Sequence, residues 1–424
     1  MSNRRIFLKQ TLMAAGAMAL PDLSKANNPA PLPEQNDSEQ YWRDIRAQFP
    51  LKRELVYLNN GTLGPSPYTV LRTVEQHMLY VEESAFHGSG EQELCTALAR
   101  FVHCRESEIT LTHNVTEGIN IVCWGLDLKA GDEVIITDNE HAGSASPWLN
   151  RARLSGIKLV VVKLGRTAEE MIGNIRNEVT RKTKVLSIPH IPCTNGQILP
   201  IKEICRFARE RNIFTLIDGA HPPGMLPVNI EQLDCDAYAS CGHKWLLGPK
   251  GTGFLYVNEK SRDHVQAYYG GAGVDAGWDL LSAPPLLNGY ASDGHRFYYG
   301  SQNMSLYKGL ISAIQFQEAI GKERIEQRIK SLAKYLQEQL LLLGPDMDML
   351  TPEESASRGA QIAFRLRNID LQHFNNYCRE RKIVTRFVPE NNICCLRVSC
   401  HIYNSFEEID QFLLMLDQYV HARS

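Results

Sequence analysis

Lys244 is the residue whose type and surroundings most directly suggest chemistry. It lies between His243 and Trp245, after a predicted strand over residues 236–240 and before a glycine-rich turn over residues 248–253. A lysine flanked in this way can lose part of its hydration, which lowers the pKa of its ammonium group. The neutral amine is then a nucleophile toward carbonyl groups. The segment therefore predicts a reactive lysine rather than a solvated surface lysine.

Asp218 is the second residue of this kind, because it ends an apolar run, residues 213–217, that predicts a buried strand. A carboxylate at the carboxyl end of a core strand lies where open α/β sheets bind their ligands. Pyridoxal phosphate (PLP) requires a lysine for a Schiff base and a carboxylate for its pyridinium nitrogen. Lys244 and Asp218 together therefore predict a PLP site.

Three short motifs resemble the class V aminotransferase-fold family, which includes cysteine desulfurases and isopenicillin N epimerase. They are Asp-Gly-Ala-His at residues 218–221, His-Lys-Trp at residues 243–245 and Gly-Pro-Lys-Gly at residues 248–251. The resemblance extends from about residue 57 to about residue 412. It implies a PLP-dependent enzyme of fold type I that forms a homodimer with shared active sites.

The order of the predicted elements favours an α/β fold. Strands alternate with helical patterns through the middle of the chain, which predicts a mainly parallel sheet covered on both faces. The resemblance implies a sheet of the seven-stranded type. A long helical pattern over residues 306–339 precedes a mixed α+β region. We expect a linker and N-terminal arm at residues 27–54, a large PLP-binding domain at 55–304 and a small C-terminal domain at 305–424.

The resemblance assigns several residues to the cofactor phosphate. Residues 114–118 lie between a predicted strand and helix, where backbone amides bind anions, and Thr116 and Glu117 belong to this turn. The alternative is that Thr116 only caps the helix. Relatives also use the histidine before the lysine, here His243. Ser240 is a further candidate, although it is displaced by one position from the serine of the family.

Ser301 matches a residue that reaches the cofactor phosphate of the neighbouring subunit in relatives. The alternative is an ordinary polar loop. If the resemblance holds at this position, each active site needs a second copy of the chain.

Four residues are assigned to the cofactor ring by the same resemblance. His141 would stack on the ring, and Asp218 would keep its nitrogen protonated. His221 and Cys193 match positions that contact the phenolic oxygen, although desulfurases have an asparagine where Cys193 stands. The alternatives are a capping or surface histidine at position 141 and a turn histidine at position 221.

Substrate binding is assigned to Arg397 and Asn60. Arg397 lies on a predicted strand at residues 395–399, and the resemblance gives it the α-carboxylate of the substrate as a bidentate partner. A structural salt bridge is the alternative. Asn60 belongs to residues 55–67, which resemble a family segment that reaches into the active site.

These assignments predict an enzyme in which Lys244 holds PLP as an internal aldimine and moves the α-proton of the substrate, with His141 and Asp218 as the other catalytic residues. We expect aminotransferase-like or side-chain tailoring chemistry on an amino acid, or on the amino-acid moiety of a peptide or siderophore. The resemblance includes exported PLP enzymes that modify the pyoverdine siderophore. Residues 384–391 lack the nucleophilic cysteine of desulfurases, which disfavours that reaction.

Three alternatives to this function remain at the level of the sequence. The first is transamination or epimerisation of a free amino acid, as in isopenicillin N epimerase, because the same residues serve both reactions. The second is a PLP-fold binding protein without turnover. The third, a nicotinamide-dependent enzyme, is the weakest, because the glycine-rich residues 270–273 do not lie between a strand and a helix.

The N-terminus predicts an exported protein. A charged segment with Arg4 and Arg5 precedes an apolar run at residues 12–20 and small residues near Ala26. This pattern is typical of a signal peptide, and the paired arginines resemble the twin-arginine signal. We therefore expect residues 1–26 to direct export of the folded protein to the periplasm by the twin-arginine machinery. The alternative is a basic amphipathic start without a targeting role.

Composition excludes several other classes of protein. The formal net charge is −3 and no long basic run occurs, which excludes a typical nucleic-acid-binding protein. No apolar stretch reaches the length of a membrane span. The eleven cysteines include no Cys-x-x-Cys pair, so we expect no metal site and few or no disulfides.

Overall fold

The computed structural model describes residues 31–36, 38–86 and 90–422. The predicted signal peptide lies outside these residues, so the export signal stays a prediction. No helix in the described part of the chain is long and apolar enough to span a membrane. Nor do the described residues contain a cluster of three or more histidine, cysteine or acidic side chains that could hold a metal ion.

Fifteen strands occur in the described part of the chain. In chain order they are β1 (Val56–Tyr57), β2 (Ile109–Thr112), β3 (Glu133–Thr137), β4 (Lys158–Val162), β5 (Thr183–Pro189), β6 (Phe214–Asp218), β7 (Ala237–Cys241), β8 (Gly253–Val257), β9 (Trp278–Asp279), β10 (Leu286–Leu287), β11 (Met347–Met349), β12 (Gln361–Leu366), β13 (Ile383–Val384), β14 (Arg386–Val388) and β15 (Cys395–Ser399).

The same described residues contain twelve α-helices. They are α1 (Glu39–Arg46), α2 (Tyr68–Ser84), α3 (Glu91–Val102), α4 (Val115–Gly125), α5 (Ala142–Ser155), α6 (Ala168–Glu178), α7 (Ile201–Arg209), α8 (Ile230–Leu233), α9 (Met304–Ile320), α10 (Lys322–Leu341), α11 (Leu371–Glu380) and α12 (Phe406–His421).

The main sheet has seven strands in the order β2-β8-β7-β6-β5-β3-β4. Strands β3 to β7 pair in parallel, and β8 is antiparallel to both β7 and β2. The predicted α/β fold with a mainly parallel seven-stranded sheet is confirmed. The sequence analysis did not predict β8, because its residues follow the glycine-rich turn directly.

Both faces of this sheet are buried, since successive side chains of a strand point to opposite faces. In β3, Ile135 packs in one hydrophobic cluster while Val134 and Ile136 pack in another. The first cluster includes residues of α3, α7 and α9, and the second includes residues of α4 and α5. Helices therefore cover the sheet on both sides and leave its carboxyl edge for a site.

The second sheet is antiparallel, with four strands in the order β11-β12-β15-β14. Its core is formed with α10, α11 and α12. The N-terminal segment joins this region, because β1 pairs in parallel with β13 and Asn59 forms a bridge to Ser399. The predicted boundary between residues 304 and 305 stays a prediction. Helix α9 begins at Met304 and continues past this boundary, and it packs in the core of the large sheet.

The long helical pattern predicted over residues 306–339 forms two helices, α9 and α10. The pattern is divided at Gly321, which has φ of +99° and separates α9 from α10. A positive φ is accessible to glycine at little cost, so the chain can change direction there. The result is that α9 packs on the large sheet while α10 packs on the small one.

Candidate active site

A cavity of about 270 Å³ lies at the carboxyl edge of the parallel strands. Strand β6 brings Asp218 to it, and the turn after β7 brings Lys244. Seven of the residues predicted for the site line this cavity: Thr116, His141, Cys193, Asp218, His221, His243 and Lys244. The fold thus gathers side chains that are up to 128 positions apart in the sequence, from 116 to 244.

Lys244 and His221 face each other in the cavity. The Nζ atom of Lys244 lies 3.5 Å from Nε2 of His221. Burial and the positive charge of Lys244 hold the pKa of His221 well below its usual range. The imidazole is therefore neutral at physiological pH.

Asp218 is held by two hydrogen bonds at the end of β6. Its Oδ1 accepts the backbone N–H of Ala220 at 2.9 Å, and its Oδ2 accepts the hydroxyl of Ser144. Ser144 belongs to α5 and also lines the cavity. The sequence analysis missed Ser144, whose only signal was its place three residues after His141. The two bonds fix the orientation of this carboxylate at the cavity.

His141 caps a helix and also lines the cavity, while its stacking on a cofactor ring stays a prediction. It is the N-cap of α5, where its Nδ1 accepts the backbone N–H of Gly143 at 3.0 Å. The same ring lines the cavity. Burial and then the charge of Lys244 lower the pKa of His141. Because Nδ1 is an acceptor, the neutral ring carries its hydrogen on Nε2.

The N-terminus of α4 opens onto the cavity through Val115 and Thr116. The cap of this helix is Asn114, whose side chain accepts the N–H of Glu117 at 3.0 Å, so Thr116 is not the cap. Glu117 does not line the cavity. Its carboxylate accepts the backbone N–H of His113 at 2.6 Å and lies 2.9 Å from the imidazole Nδ1 of that residue.

His243 has a buried ring nitrogen, Nδ1, without a hydrogen-bond partner among the described residues. Burial, with the charges of Lys244 and Lys250, lowers the pKa of His243 to about 4. His243 lines the cavity, and a ligand group that pairs with this nitrogen would remove the cost of leaving it unsatisfied.

The two predicted serines lie away from this cavity. Ser240 is fully buried in β7 and donates its hydroxyl to the carbonyl of Gly219 at 2.8 Å, so it is occupied within the sheet. Ser301 lines a different cavity of about 660 Å³, together with Glu93 and Lys308. Its contact with the site of a neighbouring subunit stays a prediction.

Arg397 and Asn60 lie behind the wall of the cavity rather than on it. Arg397 is fully buried and donates to the carbonyl of Cys193 at 2.7 Å, to Thr62 at 2.9 Å and to Asn59 at 3.1 Å. Burial lowers its pKa to about 10, which still leaves the guanidinium charged. Asn60, also fully buried, accepts the hydroxyl of Tyr403 at 3.0 Å.

Arg386 is the arginine that lines the cavity itself. It lies on β14 directly opposite Arg397 on β15, and it forms an ion pair with Glu390. The sequence did not predict a role for this residue, although it belongs to the stretch 384–391, which lacks the cysteine of desulfurases. Two arginines on adjacent strands therefore give this side of the cavity a positive potential.

The profile of the Aminotransferase class-V family matches residues 87–412. The chain belongs to this family. The resemblance that the sequence motifs suggested is thus confirmed at the level of the family.

Relatives within the family include two kinds of enzyme. Isopenicillin N epimerase of Streptomyces clavuligerus is 28% identical over 395 residues, which cover 89% of this chain and 98% of that protein. A probable cysteine desulfurase of Pyrococcus abyssi is 25% identical over 404 residues, which cover 89% of this chain and 97% of that protein.

Among solved structures, a C-DES variant has a lysine replaced by alanine and carries glycine covalently linked to its PLP cofactor. It is 28% identical to this chain and has a TM-score of 0.79, with 88% of this chain and 98% of that chain covered. The cofactor predicted from the sequence, PLP, is confirmed for this class V enzyme.

The cavity fits that cofactor on observations of its own. It offers an amine on Lys244, a fixed carboxylate on Asp218, a helix N-terminus at Thr116 and the unpaired Nδ1 of His243. An amine for a carbonyl, an anion for a ring nitrogen and donors for a phosphate are the groups that PLP requires.

Two thiols also line the cavity, and neither has the properties of a nucleophile. Burial raises the pKa of Cys193, and it raises the pKa of Cys241 to about 11. Such thiols stay protonated at neutral pH, and the thiolate is the reactive form. The exposed thiol belongs to Cys394, which follows the stretch 384–391.

Proposed function

We propose that the protein is a PLP-dependent enzyme that changes the amino-acid moiety of a peptide or siderophore, by aminotransferase-like or side-chain tailoring chemistry. The observation that carries the proposal is the convergence of Lys244, Asp218 and His221 on one cavity of about 270 Å³. When bound, PLP withdraws electrons from the α-carbon of an amino acid and so weakens its bonds.

The residues of the chain have distinct tasks in this proposal. Lys244 supplies the amine that holds the cofactor and then accepts and returns the α-proton of the substrate. Asp218, fixed by Ser144 and Ala220, keeps a proton on the ring nitrogen. His141 covers the cavity at the start of α5.

The substrate carboxylate is assigned to the positive side of the cavity. Arg386 lines it, and Arg397 lies directly behind Thr62 and the carbonyl of Cys193. Because Arg386 already has Glu390 as a partner, an incoming carboxylate must share or displace that ion pair. A guanidinium is suited to this exchange, since it can bind two carboxylates at different edges.

The space around the site supports a substrate longer than a free amino acid. Asn139 lines the cavity and also lines a groove of about 740 Å³. The groove is also lined by residues that follow β4 of the large sheet, Gly165 and Arg166, and by Arg365 of β12 in the small sheet. A peptide or siderophore could extend from the cavity into this groove, whereas a single amino acid would leave it to solvent.

Epimerisation of an amino acid is the second candidate function. It is favoured by the similarity to isopenicillin N epimerase and by the absence of a cysteine from residues 384–391. The two reactions can be separated by the fate of the α-carbon. An epimerase exchanges the α-hydrogen with solvent deuterium and inverts the centre, while a transaminase produces a keto acid.

The first experiment is an absorption spectrum of the purified protein, recorded for the wild type and for Lys244→Ala. We expect a band of lysine-bound PLP that disappears on borohydride reduction and is altered in the variant. L-glutamate and a siderophore peptide are then added separately, and the addition that shifts the band identifies the substrate class. A wild type that shows no band after incubation with PLP would exclude the proposal and leave a binding protein without turnover.

The proposed place of action is the periplasm, reached through the twin-arginine machinery. Support comes from the sequence alone, namely Arg4 and Arg5 before the apolar run at residues 12–20. The test is fractionation of cells that express the full chain or a variant with both arginines changed to lysine. The wild type should appear in the periplasm and the variant should remain in the cytoplasm. Equal distribution of both would contradict the proposal.

A further inference from the structure

His221 receives two hydrogen-bond donors on the same ring atom. The indole Nε1 of Trp245 lies 3.0 Å from Nδ1 of His221, and the amide nitrogen Nε2 of Gln361 lies 3.0 Å from the same atom. An indole N–H can only donate. Nδ1 of His221 must therefore be the acceptor, whatever the orientation of the glutamine amide.

The acceptor at Nδ1 decides where the hydrogen of the ring is. A neutral imidazole has one acceptor and one donor nitrogen, so the hydrogen of His221 is on Nε2. Nε2 is the atom that lies 3.5 Å from Nζ of Lys244. His221 consequently presents an N–H group, and not a lone pair, to the lysine side of the cavity.

The two donors belong to rigid surroundings. Trp245 is fully buried and stacks on His401, with ring centroids 5.4 Å apart and an interplanar angle of 26°. Its carbonyl accepts the side-chain amide of Gln317 at 2.7 Å. Gln361 is fully buried at the start of β12.

The orientation of the Gln361 side-chain amide leaves one of its buried atoms without a hydrogen bond to the described residues. With its amide nitrogen toward His221, its Oε1 has no hydrogen-bond partner in the described chain. An unsatisfied buried carbonyl is unfavourable. Turning the amide over would instead place that oxygen against the lone pair of Nδ1. Because the indole N–H of Trp245 requires a lone pair at Nδ1 of His221, the orientation with the amide nitrogen toward His221 is the more favourable of the two.

We propose that Trp245 and Gln361 are positioning residues that fix His221 as the Nε2–H tautomer, so that it is a permanent hydrogen-bond donor beside Lys244. The inference rests on the proposed function in one respect, namely that the phenolic oxygen of PLP is the acceptor. A donor at this place stabilises negative charge on that oxygen. The nitrogen that joins Lys244 to the cofactor then holds its proton less tightly.

The tautomer can be measured directly in the purified protein. Imidazole ¹⁵N chemical shifts and their couplings to ring protons distinguish the two tautomers, and His221→Gln assigns the signal. We expect the pattern of a hydrogen on Nε2 that does not change between pH 6 and pH 8 (about the physiological range). A hydrogen on Nδ1, or a mixture of tautomers in the wild type, would overturn the inference. This result does not depend on whether PLP is the cofactor.

The role of the two donors is tested with Trp245→Phe and Gln361→Leu, alone and combined. In the double variant the fixed pattern should be lost, and the absorption of lysine-bound PLP should titrate at a pH about one unit higher, since one neutral hydrogen bond is lost. Trp148→Phe is the matched control, because Trp148 is equally buried and its indole donates to Ser187 at 2.8 Å.

The control should lose stability without a change in tautomer or titration. A double variant that keeps both the Nε2–H pattern and the wild-type titration would refute the proposal. A fixed tautomer in a protein without a PLP band would leave it standing and would instead exclude the proposed function.

Discussion

At the scale of single residues, the site is defined by groups whose hydrogen bonds leave them little freedom. Asp218 is buried and its two oxygens accept from Ala220 and Ser144. The hydroxyl of Ser144 comes from a helix that is distant in the sequence. Orientation of the carboxylate therefore depends on a residue that carries no charge.

Ser144→Ala tests this dependence. Loss of a hydrogen bond to a charged group should lower kcat/KM about tenfold and weaken PLP binding. Ser146→Ala is the control, since Ser146 is exposed on the same helix. Steady-state kinetics and PLP titration measure both variants. Equal behaviour of the two would show that Ser144 does not hold Asp218 in the working enzyme.

The two arginines predict different outcomes for the same change. Arg386→Lys should raise KM about tenfold with little change in Tm, because a point charge cannot replace the bidentate guanidinium. Arg397→Lys should also lower Tm, because Arg397 is fully buried and its donors hold Cys193, Thr62 and Asn59. Kinetics and thermal unfolding of both proteins check this. An unchanged KM in Arg386→Lys would remove Arg386 from substrate binding.

At the scale of elements, the turn that carries Lys244 is held by the N-terminal segment. The N–H of Gly64 donates to the carbonyl of His243 at 2.8 Å, and Lys250 donates to the carbonyl of Gly64 at 2.9 Å. The contact is so close that a Cβ on Gly64 would lie 2.0 Å from the carbonyl oxygen of Lys244. Glycine is required there for the approach of two backbones.

Gly64→Ala should therefore displace the Lys244 turn. We expect a lower Tm and a large loss of PLP occupancy, measured by thermal unfolding and by the cofactor absorption. Gly173→Ala is the matched control. Gly173 lies within α6 with open space around it, so alanine there should stabilise the protein by about 0.5–1 kcal/mol. Retention of full occupancy in Gly64→Ala would contradict the expected displacement.

At the scale of the whole molecule, buried histidines link stability to pH. Burial lowers the pKa values of His190 and His401 to about 4, below the unfolded value near 6.5. Each is neutral when folded, so the unfolded chain binds the extra proton between these pH values. Their stabilising contribution is complete above about pH 6.5 and is lost as the pH falls toward 4.

The expected slope is about 1.4 kcal/mol per pH unit for each of these histidines. Denaturant unfolding at about pH 7, 6 and 5, the range over which the slope is expected, measures it. His190→Asn should remove the contribution of one histidine from the slope, even though it lowers the free energy of unfolding at every pH. The same slope in wild type and variant would show that His190 is not neutral in the folded protein.

A homodimer is the proposed assembly, and one exposed element supports it. The hairpin of β9 and β10 carries exposed apolar side chains, with Leu281 96% and Trp278 63% exposed. Such a patch is typical of a surface that another protein covers. Light scattering with size exclusion should give twice the chain mass for the wild type and a reduced mass for Leu281→Asp. A monomeric wild type would contradict the dimer.

The sequence was sufficient to place residues that stand in recognisable motifs directly after a predicted strand. Lys244 and Asp218 follow apolar strands and stand in motifs that resemble a family, so their place at the sheet edge could be predicted. Ser144 could not, because its partner is 74 positions away and a serine in a helix has no distinctive pattern. The break at Gly321 was missed since a single glycine does not interrupt a helical period.

Arg386 and Glu117 show the same limit for charged side chains. The spacing places both near the site, but spacing does not give the direction in which a long side chain points. Arg386 faces the cavity because β14 pairs with β15, and β14 was not predicted from the sequence. Glu117 turns back to His113, a local bond that competes with the expected ligand.

One wall of the cavity joins residues from near the beginning and the end of the described chain. Thr62 and Asn59 bind Arg397, and β1 pairs with β13. A growing chain on the ribosome cannot close this wall until its last strands have been made. The contacts of Arg397, and the hydrogen bond of Gln361 to His221, therefore form late, and the enzyme becomes competent only when synthesis is almost complete. A protein exported after folding, as we propose for this one, would make that delay harmless.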